Sequence, residues 1–156
     1  MHSRREFLTR IAAMGSLVTP SVGRRTQASR FGGVTAGEER VVHGIRFCWC
    51  PPGRFSMGSP ETERGRRADE QQVDVTLSKG FWTAKFEVTQ GQWQRIVGAF
   101  PHTPPSEAFG IGDEVPLYWV NYPSAETFCT KATEATRRSG DLPSDWAFAL
   151  PTEAQW

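Results

Sequence analysis

The sequence predicts a loop-rich domain that contains both short strands and helices. A strand that leads directly into a helix is predicted between Gly80 and Gly98, and a longer amphipathic helix follows from Pro123 to about Arg138. Eleven prolines and fifteen glycines predict many turns. Six tryptophans and ten phenylalanines indicate a folded body rather than disorder, and 156 residues suffice for one domain.

The first half of the stretch Gly80–Trp93 has the period of a strand. Apolar and polar side chains alternate along it, which is typical of a strand with one buried face. Aromatic side chains at this spacing favour core packing over a ligand site. The apolar face is expected to hold Trp82, Ala84, Phe86 and Val88.

A helix is predicted directly after this strand. Thr89 and Gln92 have the spacing of a capping box, and Val88 and Trp93 have that of a hydrophobic staple. Gly98 is a natural residue for the end of this helix, because glycine adopts the left-handed conformation that helix ends often need.

The second helix has an apolar stripe at the spacing i, i+3, i+4 and i+7, which predicts one buried face. Pro123 suits its first turn, and Gly140 suits its end. Arg137 and Arg138 lie where the helix dipole favours positive charge. The stripe consists of Ala125, Phe128, Cys129 and Ala132.

The remaining strands are predicted from shorter patterns. On a strand over residues 45–50, Cys48 and Cys50 share one face and Trp49 lies on the other. The two thiols are either packed side chains or a metal-binding pair with His43 nearby, and a disulfide between them is disfavoured by its geometry. Further extended segments are expected at residues 54–59, 73–77 and 117–120.

The charge of the chain argues against nucleic acid as a partner. The formal net charge is +1, of which the first 30 residues hold +5 and the rest therefore −4, so the body is weakly acidic. The charged segment 60–72 is interpreted as a solvated loop. A metal site from Asp69, Glu70 and Asp74 is the alternative, although their spacing fits no known ion-binding loop.

The N-terminus resembles a twin-arginine export signal, with Ser3, Arg4 and Arg5 followed, after one further residue, by Phe7-Leu8. The apolar run 11–23 is shorter than the ~20 residues that span a bilayer and contains a proline, so no transmembrane anchor is expected. Small residues near Ala28 suit cleavage. We therefore expect a signal peptide at 1–28, outside the fold, a linker at 29–44, and a periplasmic or other extracytoplasmic location. A disordered basic tail is the alternative.

The sequence ends on the start of a helix. Thr152 and Gln155 form a second capping box, and the chain stops at Trp156, after one turn. One helical turn that is not extended is unfavourable. We therefore expect the sequence to be a fragment of a longer protein or the product of a truncated gene.

Five segments in a fixed order resemble the sulfatase-modifying factor family, whose type activity is that of the formylglycine-generating enzyme. The resemblance covers residues 45–156 and implies a loop-rich α+β relative of the C-type lectin fold, here in truncated form. The segments are PPGRFSMGS, Asp69-Glu70 before a strand, GFWTAKFEVTQGQW, WVNYPSAETFC and LPTEAQW.

The resemblance implies a chemistry but assigns no residue of it to this chain. Active members oxidise a cysteine of a sulfatase to Cα-formylglycine with oxygen and copper held by two cysteines, since thiolates suit Cu(I). Those cysteines and the calcium ligands lie in the family's C-terminal half, and Cys48 and Cys50 do not match them. Cys129 matches a cysteine that pairs, in some members, with one near the C-terminus. No catalytic, cofactor-binding or metal residue is therefore assigned.

Three functions remain open from the sequence. The first is part of a formylglycine-generating oxidase, with copper and calcium in the complete enzyme and a sulfatase polypeptide as partner. The second is a non-catalytic, exported, lectin-like module that binds a peptide or a sugar, and the third is an inactive truncated gene product. Some family members are iron-dependent sulfoxide synthases instead. The family's Val-Ser-Trp is replaced here by Val120-Asn121-Tyr122, so different capping is expected.

Overall fold

The computed structural model describes residues 31–156 in full and the backbone of residues 12–15. Its main element is a five-stranded sheet with the strand order β2-β3-β6-β1-β7, in which all neighbouring strands are antiparallel. A separate hairpin, β4-β5, forms a second sheet. The strands are β1 (Ala12–Gly15), β2 (Glu39–Val42), β3 (Ile45–Cys50), β4 (Gly53–Met57), β5 (Val73–Leu77), β6 (Phe81–Ala84) and β7 (Trp146–Ala149).

Two α-helices, α1 (Gln90–Val97) and α2 (Tyr122–Arg138), join one face of the five-stranded sheet in a single core. Trp93 of α1 stacks on Phe128 of α2 with the ring centroids 5.1 Å apart. On the sheet, Trp49 pairs with Trp82 across β3 and β6, and their rings are 5.1 Å apart. Strands and helices thus form an α+β fold, as the sequence predicted.

The caps of α1 are those that the sequence predicted, whereas α2 begins at Tyr122, one residue before Pro123, and its C-cap is Ser139. Thr89 and Gln92 form the predicted capping box, and Gly98 ends α1 in the left-handed conformation. The side chain of Asn121 accepts a hydrogen bond from the backbone N–H of Ser124 at 2.9 Å. Asparagine therefore caps α2 in place of the family's serine. The predicted inner stripe of α2 is buried at all four positions.

The hairpin that joins β2 and β3 turns through two residues. His43 and Gly44 both have positive φ angles, 50° and 76°. This is the backbone of a tight turn whose twist matches that of the flanking strands. It places the turn, and Arg46 just after it, at one edge of the sheet.

Four sequence predictions need correction. Phe86 is 58% exposed, because β6 ends at Ala84 and the strand alternation stops there. The segment 117–120 is no strand; a single bridge joins Thr89 to Pro116 instead.

The linker predicted at residues 29–44 is the third correction. β2 pairs with β3, and the carbonyl of Phe31 accepts a hydrogen bond from the indole of Trp82 at 2.8 Å. The chain is thus part of the fold from Phe31 onward, because these contacts bury apolar rings that the glycine-rich composition of the segment does not suggest.

The predicted signal peptide at 1–28 lies outside the described residues except for β1. The backbone of Ala12–Gly15 is a strand of the sheet, which differs from the expectation that the first 28 residues stay outside the fold. At the other end, the Thr152 capping box forms as predicted and leads into a 3₁₀ helix at Glu153–Gln155.

Candidate functional site

A cleft of about 520 Å³ opens where the β2-β3 turn approaches the start of α1. Four chain segments form its walls: the turn, the loop after β6, the first turn of α1 and the loop before α2. Its wall carries both apolar and charged side chains, so it suits a ligand of mixed character rather than a purely apolar one. The lining residues are Gly44, Ile45, Arg46, Phe86, Glu87, Thr89, Gln92, Glu114 and Pro116.

Gln92 holds two walls of this cleft together. Its side-chain amide donates to the carbonyl of Gly44 at 3.0 Å, while its side-chain oxygen accepts from the N–H of Thr89 at 3.1 Å. The same residue thus caps α1 and ties the helix to the β2-β3 turn. The loop before α2, which forms the fourth wall, is joined to the loop after β6. The N–H of Leu117 donates a hydrogen bond to the carbonyl of Val88 at 2.8 Å.

An ion-pair group lies beside the cleft. Glu39 on β2 pairs with Arg46 at 3.1 Å and also with Lys85. Hydrogen bonds from Lys85 and then Arg46 lower the pKa of the Glu39 carboxyl. Within residues 31–156 the ion pairs are those of Glu39, so Glu87 and Glu114 line the cleft without a charged partner.

A second exposed surface carries three aromatic rings, those of Phe109, Tyr118 and Trp119, and we call it the aromatic surface. The ring of Phe109 is 5.5 Å from that of Tyr118 and meets that of Trp119 edge-on at 5.9 Å. Phe109 and Trp119 are 62% and 54% exposed. Trp119 also has a φ of 59°, a left-handed conformation that costs a bulky residue ~1–3 kcal/mol and is enriched at functional sites.

The loop behind the aromatic surface is held by a buried amide. Gln90 is 3% exposed, donates to the carbonyl of Gly110 at 3.1 Å, and accepts from the N–H of Gly112 at 3.1 Å. The hydroxyl of Tyr118 bonds to both the N–H and the carbonyl of Ser106. The loop therefore has a defined shape despite its many prolines and glycines. Sequence patterns missed Gln90, because a glutamine in the first turn of a helix is usually a surface residue.

The cysteines do not assemble a metal centre within residues 31–156. All three are free thiols, and no group of three or more His, Cys, Asp and Glu side chains converges in this part of the chain. Burial, and then the nearby Cys48, raise the pKa of Cys50, while burial raises that of Cys129 to about 12. Protonated, part-buried thiols are poor ligands for copper.

The predicted alternatives for metal sites are likewise not brought together. His43 lies in the β2-β3 turn and Cys50 is the last residue of β3, so most of this six-residue strand lies between them. Asp69, Glu70 and Asp74 form no metal-binding group in the described part of the chain. Calcium needs six to eight oxygen ligands, so these residues do not fit a calcium site either.

Comparison with protein families gives a match that spans residues 35–156 and is described as a sulfatase-modifying factor enzyme 1-like domain. The chain belongs to this family. The match begins at residue 35, whereas the resemblance seen in the sequence began at residue 45. The earlier start agrees with the structure, in which β2 (Glu39–Val42) is part of the sheet. No functionally curated protein matches the chain.

The structure of PvdO from Pseudomonas aeruginosa has the same fold. It superposes with a TM-score of 0.57 at 23% sequence identity, covering 67% of this chain and 46% of PvdO. At this identity the likeness shows the fold alone. The chain spans less than half the length of that structure, so the activity of a whole sulfatase-modifying factor domain is a matter for proposal.

No helix within the described residues has the length and apolar character needed to cross a membrane.

Proposed function

We propose that the chain belongs to an exported protein of the formylglycine-generating type, which oxidises a cysteine of a sulfatase to Cα-formylglycine. The observation that carries this proposal is the family match over residues 35–156. Residues 31–156 contribute the scaffold and the cleft that receives the sulfatase polypeptide. The oxidation itself, with the copper and calcium of an active family member, is not assigned to Cys48, Cys50 or Cys129.

The cleft suits an extended polypeptide. Phe86 is exposed at its wall, and Glu87 and Glu114 add carboxylates without ion-pair partners. An apolar side chain and uncompensated carboxylates together favour a segment that carries both an apolar and a cationic side chain. Gln92 keeps the walls in place, so little ordering is needed when the peptide binds.

The test is conversion of a sulfatase in cells. The product of the gene is expressed with an exported sulfatase, and the sulfatase cysteine is followed by peptide mass spectrometry and by labelling of its aldehyde with a hydrazide. We expect aldehyde in the wild type and at least a tenfold loss of conversion in Phe86→Ser combined with Glu114→Gln. Val73→Ser is the control, because Val73 is 48% exposed on the separate β4-β5 hairpin.

A second function is favoured by the aromatic surface. Exposed aromatic rings on a strained, well-held loop suit a non-catalytic module that binds a sugar or peptide by stacking. Two results together would favour this module over the oxidase. The wild-type protein would leave the sulfatase cysteine unchanged but bind to a glycan or peptide array, and Trp119→Ala would abolish that binding.

Export by the twin-arginine route is part of the proposal. It rests on Ser3-Arg4-Arg5 followed by Phe7-Leu8. Replacing Arg4 and Arg5 by lysine is expected to leave the protein inside the cytoplasmic membrane, as shown by cell fractionation. The matched control changes Arg24 and Arg25 to lysine. Equal export of both variants would exclude the twin-arginine route.

A further inference from the structure

β6 and β7 are separated by the width of one strand. β1 lies between them and is antiparallel to both: Ala13 is opposite Trp82 on one side and Phe148 on the other. β6 and β7 therefore run parallel, at about 10 Å, twice the usual spacing between strands. Neither strand pairs with the other, so the sheet is continuous only because a third segment fills this gap.

The gap lies over the core of the domain. β6 contributes Trp82 and β7 contributes Phe148, which are 1% and 4% exposed. An empty gap would leave a row of backbone N–H and C=O groups unpaired on each strand. Buried backbone groups are almost always paired in folded proteins, so the gap requires an extended occupant.

We propose that the gap between β6 and β7 is a strand-acceptor site and that Ala12–Gly15 of the same chain is its resident strand. This is recognition by strand addition, in which backbone hydrogen bonds provide most of the binding. The occupant makes four residue pairs with β7 and two with β6.

The connection to the rest of the chain is long enough. Gly15 lies opposite Trp146, and the ring of Trp146 is 5.0 Å from that of Phe31, where the described chain resumes. The intervening residues reach up to ~50 Å when fully extended. The length of this connection therefore allows Ala12–Gly15 to pair with β6 and β7 of its own chain.

This arrangement connects folding with export. Ala12–Gly15 belongs to the apolar part of the proposed export signal, and a segment paired on both sides in a sheet is not free to enter an export pathway. Ala12–Gly15 must therefore leave the sheet before the signal can enter the export pathway, and removal of residues 1–28 leaves the acceptor site open. This consequence rests on the proposed export signal, whereas the acceptor site does not.

Hydrogen exchange of the purified full chain tests the site. Ala13→Pro removes a backbone N–H from the middle of the resident strand and is poorly tolerated between two neighbours. We expect amide exchange in both β6 and β7 to rise about tenfold or more, with little change in the β4-β5 hairpin. Ala28→Pro, at a position in no described element, is the control. Equal exchange in β6 and β7 for the two variants would overturn the proposal.

Cleavage of the folded chain gives a second test, which holds even if Ala13→Pro prevents folding. A specific protease site is inserted between residues 28 and 29, and the cut protein is passed through size-exclusion chromatography. Retention of the 1–28 fragment supports the proposal. Loss of the fragment also supports it when the amides of β6 and β7 lose their protection from exchange at the same time. Loss of the fragment with unchanged protection would overturn it. Neither result depends on sulfatase conversion or on export.

Discussion

The indole ring of Trp49 lies directly against Gly80, so that a Cβ on this glycine would stand 2.2 Å from Cζ2 of the ring. Gly33 approaches the same ring from another segment, and a Cβ there would lie 2.4 Å from Cγ. Trp49 is 7% exposed and also contacts Trp82 at 5.1 Å. Two glycines therefore make room for the largest side chain on β3.

Gly80→Ala is expected to destabilise the protein by about 1–3 kcal/mol, because overpacking a close contact forces the ring or the backbone to move. Gly53→Ala is the matched control, since nothing lies within 4 Å of the position of its Cβ. Urea unfolding of both variants checks the prediction. Equal midpoints for the two would show that Trp49 shifts at no cost.

The hydroxyl of Thr133 joins α2 to β7. It accepts a hydrogen bond from the N–H of Phe148 at 2.9 Å and donates to the carbonyl of Cys129 at 2.8 Å. Thr133→Val leaves the buried N–H of Phe148 without an acceptor, so we expect a loss of about 1–3 kcal/mol in the free energy of unfolding. Thr130→Val, on the exposed side of the same helix, should change it by much less, and Thr133→Ser should restore most of the loss.

Gln90→Leu tests the loop behind the aromatic surface. The substitution removes the acceptor for the N–H of Gly112, and we expect a loss of about 1–3 kcal/mol and faster exchange of the Gly112 amide. Gln94→Leu, on the solvent-exposed side of α1, is the control. If Gly112 exchanges equally fast in both variants, the amide of Gln90 does not hold this loop.

Cys129 predicts a pH dependence of stability. Burial raises the pKa of its thiol from 9.0 to about 12, so the folded state keeps a proton that the unfolded state loses near pH 9. The contribution to stability is fully present below pH 9 and falls as the pH rises towards 12. We expect the free energy of unfolding to decline less between pH 8 and pH 10 in Cys129→Ala than in the wild type. Identical slopes in urea titrations would contradict this.

Local patterns predicted the helices of this protein well. The box of Thr89 and Gln92, the left-handed Gly98 and the inner stripe around Phe128 involve residues within a few positions of one another. Their interactions form within the helix itself, so one sequence suffices to recognise them. The family was also evident from sequence, because its motifs follow in a fixed order.

The cleft could not be predicted in the same way. Gly44 and Gln92 are bonded to each other across 48 positions of the chain, and neither residue type signals a site by itself. Phe86 was expected in the core from its alternation with Ala84. Its exposure is decided by where β6 ends, which depends on pairing with β3 rather than on the pattern of β6.

The sequence by itself determined the α+β class, the caps of α1, the buried face of α2 and the family, since these depend on short-range chemistry and on ordered motifs. Only the tertiary structure decided which segment completes the sheet and which residues meet at the cleft. Ala12–Gly15 has the composition of an export signal, yet its backbone lies between β6 and β7. Backbone pairing is nearly independent of side-chain identity, so the partner of a strand is decided by which unpaired edges the rest of the fold leaves open.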